Sequence, residues 1–161
     1  MLGDADKAGA LLKDLSKFAA ETPFEFPEIA NAGKSLLAFG FTADTIKDNL
    51  RRLGDVASSL NIPLGDLTEI YGKARTQGRL FSEDINQLTG RGIPIIAELA
   101  KQFNVAESEV KNMVEKGKVG FPELQKAMEA MTNEGGKFAG GMANQSQTLN
   151  GLLSTAKDNL M

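Results

Sequence analysis

Three short stretches of the chain carry residues whose types and spacing could do chemistry. Residues 31–36, "NAGKSL", contain the Gly-Lys-Ser of a phosphate-binding loop. In such a loop, backbone N–H groups hold phosphate oxygens while the lysine reaches the outer phosphates. The full pattern needs another glycine at position 28, and Glu28 stands there instead, a carboxylate that would repel the anion. No apolar strand leads into it. The stretch reads better as the small-residue face of a helix. Residues 89–94, "TGRGIP", offer two glycines, Arg91 and a proline that suits a helix start, the makings of an anion cradle. The plainer reading is a linker turn with a solvated Arg91. Residues 135–141, "GGKFAGG", lack the spacing of a dinucleotide loop and read as a flexible hinge.

Acids come in pairs at Glu83/Asp84 and Glu107/Glu109. Two carboxylates could divide general acid and base work if an apolar pocket raised the pKa of one. Both pairs instead sit where helices are expected to start, and acids there favour the positive end of the helix dipole by about 0.3–1 kcal/mol. Capping explains them. The chain has neither cysteine nor histidine. That removes disulfides, thiolate metal sites, the commonest metal ligand and the usual base near neutral pH. No catalytic, cofactor-binding or metal-binding residue is assigned on this reading. A net charge of −3 and a pI near 5.1 give no field for nucleic acid or an anionic membrane. "MLGDADKAGA" opens with acids, unlike a signal peptide, and no apolar run approaches the length of a membrane span. The reading is a soluble chain, intracellular at least when made.

The elements that must hold these residues are helices. Apolar residues recur at helical spacing along most of the 161 residues. Leu11, Leu15 and Phe18 mark one helix, and Ile29, Leu36 and Leu37 the next. Ile46, Leu50, Leu53, Ala57 and Leu60 form the longest stripe. Shorter stripes follow to Met131, separated by glycine, asparagine or proline. No run alternates long enough to make a sheet. The expected fold is all-α, a compact bundle of eight or nine short helices with two related helix–joint–helix units, plus a flexible C-terminal helix.

Three joints look alike. "FGFTADTI" (39–46), "LNIPLGDL" (60–67) and "FNVAESEV" (103–110) each place Gly or Asn between apolar residues. Gly40, Asn61 and Asn104 are the types that tolerate the left-handed conformation ending a helix, and the apolar residue after each can fold back on the last turn. Thr42 then serves as an N-cap and Pro63 suits a first turn, while Ala106 is a poor cap. The last two joints extend into a repeat. Leu60, Leu67 and Ile70 answer Phe103, Val110 and Met113 at a separation of 43, and "GRLFSEDINQL" (78–88) answers "GKVGFPELQKA" (117–127) at 39. Ser82 is expected to cap one of the helix starts, with Pro122 inside the first turn of the other. Leu80 and Val119 are expected to meet where the two units pack about a pseudo-dyad. A helical DNA- or protein-binding adaptor with helix-turn-helix-like units is the alternative. Glu107, Glu109 and Glu115 on the second unit would repel a phosphate backbone.

The stretch from Glu134 changes character, with no charge between Phe138 and Ala156 and much Gly, Asn, Gln, Ser and Thr. Two parts are expected, a helical domain at 1–133 and a flexible, helix-forming segment at 134–161. The apolar pattern is still running at "DNLM", as in a piece of something longer.

Several blocks, taken in order, resemble the tape measure proteins of long-tailed bacteriophages and prophages. They are "FAAETPFEFPEI" (18–29), "LLAFGF" (36–41), "LRRLGDVA" (50–57), "QGRLFSEDINQLTGRGIPIIAELAKQFNV" (77–105), "KGKVGFPELQKAM" (116–128), and "GGKFAGGM" with "SQTLNGLLSTAKD". The resemblance covers almost the whole chain. It implies a structural helical module within a longer protein that sets tail length during assembly, without catalysis here and without a cofactor. It also implies protein partners: tail tube subunits, tail assembly chaperones and other copies of itself. No nucleic acid in isolation and no membrane contact are expected. The implied locations are the host cytoplasm during assembly and then the lumen of the virion tail.

Overall fold

Past the first helix, which ends before Glu21-Thr22-Pro23, the helices stop at or beside a glycine or asparagine. The structure is a computed structural model that describes residues 2–146, with side-chain surroundings from residue 6 onward. Its helices are α1 (Leu2–Ala20), α2 (Phe26–Ala38), α3 (Ala43–Leu60), α4 (Leu64–Gln77), α5 (Ser82–Gly90), α6 (Ile95–Phe103), α7 (Glu107–Glu115) and α8 (Phe121–Thr132). A further helical segment opens at Gly141 and runs at least to Ser146. Among the described residues there is no strand, only an isolated antiparallel bridge between Arg79 and Gly120. The fold is all-α, as expected.

The three joints have the expected geometry. Gly40, Asn61 and Asn104 have φ of 98°, 55° and 57°. After Gly40, the Phe41 N–H donates to the Leu36 carbonyl at 3.0 Å and the Gly40 N–H to Leu37 at 3.0 Å. Those two bonds are the Schellman pattern, which satisfies carbonyls that a helix end otherwise leaves open. Val105 repeats the first bond to Ala100 at 3.0 Å, and Ile62 repeats it to Ala57 at 2.9 Å. Phe41 and Ile62 are buried, so each reversal also carries an apolar side chain into the core. Gly92 (φ 92°) and Gly117 (φ 74°) close α5 and α7 in the same way, through Ile93 to Leu88 and Lys118 to Met113.

Helix starts differ in detail from the expectation. Thr42 is the N-cap of α3, but its hydroxyl lies 3.3 Å from that of Thr45 and caps no backbone N–H. Pro63 and Pro94 stand at N-cap positions, since Pro63 with ψ 131° has not yet turned into the helix. Ser82 is not a cap. Phe81 is still extended, and its N–H donates to Asp84 Oδ2 at 2.9 Å, so the acid three residues on does the capping. Ala106 makes no cap bond, and Pro122 lies in the first turn of α8, both as expected.

Helices α1 to α4 pack on one another, as do α5 to α8. Contacts of α4 with α5, and of α8 with α3 and α4, join the halves into one core. Leu15, Leu36, Leu50, Leu67, Leu80, Val119 and Met131 are all buried in it. Leu37 is not, being 41% exposed, because it sits about 100° round the helix from Leu36. The related units meet where expected. The Leu80 N–H donates to the Val119 carbonyl at 2.9 Å and the Phe121 N–H to Gly78 at 3.2 Å. The pairing runs antiparallel, as a pseudo-dyad requires.

Candidate functional site

Each stretch with chemical possibilities has a definite place in the fold. Gly33, Lys34 and Ser35 lie inside α2, so no loop is there to cradle a phosphate. A Cβ on Gly33 would sit 2.9 Å from Leu15 Cδ1 and 3.6 Å from Ile46 Cγ2. The glycine is where α1 and α3 approach α2, the small-residue face read from the sequence. Arg91 ends α5. It is not simply solvated: its Nη1 donates to the Gln87 carbonyl at 3.0 Å, and its Nη2 lies 3.9 Å from Asp66 Oδ2. The arginine thus neutralises the negative end of its own helix. Glu83/Asp84 and Glu107/Glu109 occupy the first turns of α5 and α7, the capping positions expected of them.

The α6–α7 pair is the nearest thing to a helix-turn-helix. Glu107, Glu109 and Glu115 are all exposed on α7, beside Lys111 and Lys116. That face repels phosphates about as much as it attracts them. On α3, Arg51 is already beside Asp48 at 3.7 Å.

Two surface features emerge that spacing along the chain did not single out. The first is an aromatic wall. Phe41 stacks on Tyr71 with ring centroids 5.6 Å apart, and Phe121 meets both edge-on at 5.9 and 5.1 Å. The Arg75 guanidinium lies 5.1 Å over the Phe41 ring and donates to the Phe39 carbonyl at 3.2 Å. Behind them Asn49 is buried; its Nδ2 donates to the Thr45 carbonyl and its Oδ1 accepts from the Tyr71 hydroxyl at 3.4 Å. Burial pushes the Tyr71 phenol well above its ordinary range. An open cleft of about 500 Å³ lies in front of this wall, lined also by Thr42 and Gln125. It offers aromatic and amide surface and one cation, and no nucleophile paired with a base.

The second feature is the seat of the glycine-rich run. The run expected to act as a hinge is folded onto the core through Phe138, Gly141 and the Met142 that follows it. Phe138 and Met142 are 4% and 6% exposed. Gly135 and Gly140 take φ of 85° and 68°, which turns the chain tightly around the end of α8. The Phe138 N–H donates to the Met131 carbonyl at 2.8 Å, and the Met142 N–H donates to Asp55 Oδ1 at 3.0 Å. Asp55 is 6% exposed, and burial raises its carboxyl pKa, partly offset by the Met142 bond and by Arg51. The part of the segment expected to be flexible that runs from 147 to 161, with Leu149, Leu153, Ala156 and Leu160, lies outside the described residues.

The stretches with chemical possibilities have become joints, a packing glycine and caps, and the chain's likeness to known proteins says what such parts build. The profile of the tape measure protein family matches residues 1–161. The chain belongs to that family. It is therefore a structural protein of the phage tail, helical as the resemblance implied. No curated protein and no solved structure matches it. Among the described residues of this tape measure protein, no helix is long and apolar enough to cross a membrane. What the sequence could have signalled is the joint at Gly92, since Gly-Ile repeats the glycine–apolar pair of Gly40-Phe41. The seat of Met142 on Asp55 joins residues 87 apart and had no local signal.

Proposed function

We propose that this chain is a folded, non-catalytic module of a tail tape measure protein, and that it takes part in tail assembly and in setting tail length. The observation that carries the reading is the family match along all 161 residues. Its repeated left-handed joints support a folded module over a measuring rod. A helix stopped every few turns by Gly40, Asn61, Gly92, Asn104 and Gly117 breaks into short helices that pack on one another, so the chain gains thickness and little length. Its partners on this reading are tail tube subunits, tail assembly chaperones and other copies of the same protein. It works in the host cytoplasm during assembly and then in the lumen of the virion tail. Neither a metal nor a cofactor enters.

A nonsense codon placed within this region of the encoding phage tests the assembly role. Lysates viewed by electron microscopy should then lack tails of regular length, and supplying the intact gene from a plasmid should restore them. Normal tails from the nonsense phage would refute it.

A further inference from the structure

We infer that Asp55 is a proton-sensitive latch, by which residues 134–146 dock on α3 or peel away while the eight-helix core stays folded. The inference rests on the geometry of the seat and not on the assembly role.

Three observations meet at the seat. The Asp55 carboxylate is buried beneath the segment and accepts one backbone bond, from Met142 at 3.0 Å, at the start of the helix opening at Gly141. Glycines on both sides allow the close approach. A Cβ on Gly141 would collide with the Asp55 carbonyl and the Ser59 hydroxyl, and one on Gly54 would strike the Met142 sulfur. The seat is thus shaped for this segment. Third, no cation pairs with the buried carboxylate within ion-pair distance among the described residues; Arg51, one turn back on α3, pairs with Asp48.

Asp55 edges an open cleft of about 460 Å³ but has little exposed surface and one donor, so the docked segment partly desolvates its carboxylate and favours the neutral form. The raised pKa of Asp55 has burial as its main cause, in line with this. The sign follows from linkage. A carboxyl whose pKa is higher docked than free takes up a proton from water on docking. Docking is therefore tightest below the free value, near 3.8, and loosens as pH rises through the docked value. Protonated, Asp55 still offers its carbonyl oxygen to the Met142 N–H. The other charged groups around the seat are Lys47 and Arg51 on α3, Glu21 just past α1, and Glu134 on the segment itself. With two other acids and two cations lining the same cleft, a variant of Asp55 alone is needed to assign the effect.

Amide exchange of the full chain, followed by NMR and corrected for intrinsic pH dependence, reads the latch. Protection of the Met142 amide should rise severalfold from neutral pH to pH near 4, while core amides such as Leu50 and Val114 stay protected throughout. D55N keeps an acceptor but removes the charge, so its Met142 protection should be high and flat with pH. G141L should expose the Met142 amide at every pH and leave the core amides protected. A pH response that persists in D55N, or protection that falls on acidification, would overturn the proton linkage. Loss of core protection in G141L would overturn the separable latch.

Discussion

Gly40→Val tests whether the joints are fixed by backbone conformation. Gly40 has φ of 98°, a region that a β-branched residue enters only with strain. Such strain costs about 1–3 kcal/mol. A Cβ there would also lie 2.6 Å from Arg75 Nη1, so the guanidinium must leave the Phe41 ring and the Phe39 carbonyl. An exposed cation–π contact is worth about 0.5–1 kcal/mol, so the whole loss comes to about 1.5–4 kcal/mol. Gly65 is the control. It lies in the first turn of α4, has no positive φ, and nothing stands within 4 Å of a Cβ placed on it. Gly65→Ala should leave stability unchanged or raise it by about 0.4–1 kcal/mol. Urea melts followed by circular dichroism measure both. With a mid-range slope of about 2 kcal/mol per molar, G40V should lower the midpoint by roughly 0.75–2 M. A G40V shift no larger than that of an ordinary surface substitution, within about 0.5 kcal/mol, would refute the joint reasoning.

Three further outcomes are expected. Leu50→Ala, at a side chain with no exposed surface, should cost about 2–5 kcal/mol in the same melts. Tyr71 holds its proton more tightly folded than unfolded, so stability should fall as pH climbs above about 10, the free phenol value, and Tyr71→Phe should flatten that fall. Thermal melts with zinc, magnesium or ATP should superimpose on melts without them, since a ligand that binds the folded state raises its melting temperature; a shift of several degrees would sink the non-catalytic reading.

How much of this was legible depends on how far apart the interacting residues lie. The joints at 40, 61 and 104 were readable because a left-handed residue followed by an apolar one is a local signal, set by backbone sterics at one position. Gly117 hid because Lys118, not an apolar residue, follows it. Leu80 meeting Val119 was legible only through the repeat, which turned a long-range contact into a symmetry argument. Ser82 and Pro63 were each misplaced by one residue, and Thr42 holds its cap position without a side-chain cap bond, since how a good cap or first-turn type is used depends on the local ψ. Nothing local tied Asp55 to Met142. "GGKFAGG" looked loose because glycine is the residue both of hinges and of close packing, and only the neighbour decides which.

Tail length decides the central claim that these residues act as a folded module. Deleting them in frame from the encoding phage, beside a deletion of equal size in a heptad region of the same gene, compares module with rod. As one continuous helix they would span about 240 Å at 1.5 Å per residue. Folded, a chain of this length has a radius of gyration near 15 Å and occupies roughly 40 Å. Electron micrographs of the mutant virions should show tails shortened by tens of ångströms only. Tails shorter by about 240 Å, matching the heptad deletion, would mean that the joints unwind in the tube and that the module reading is wrong.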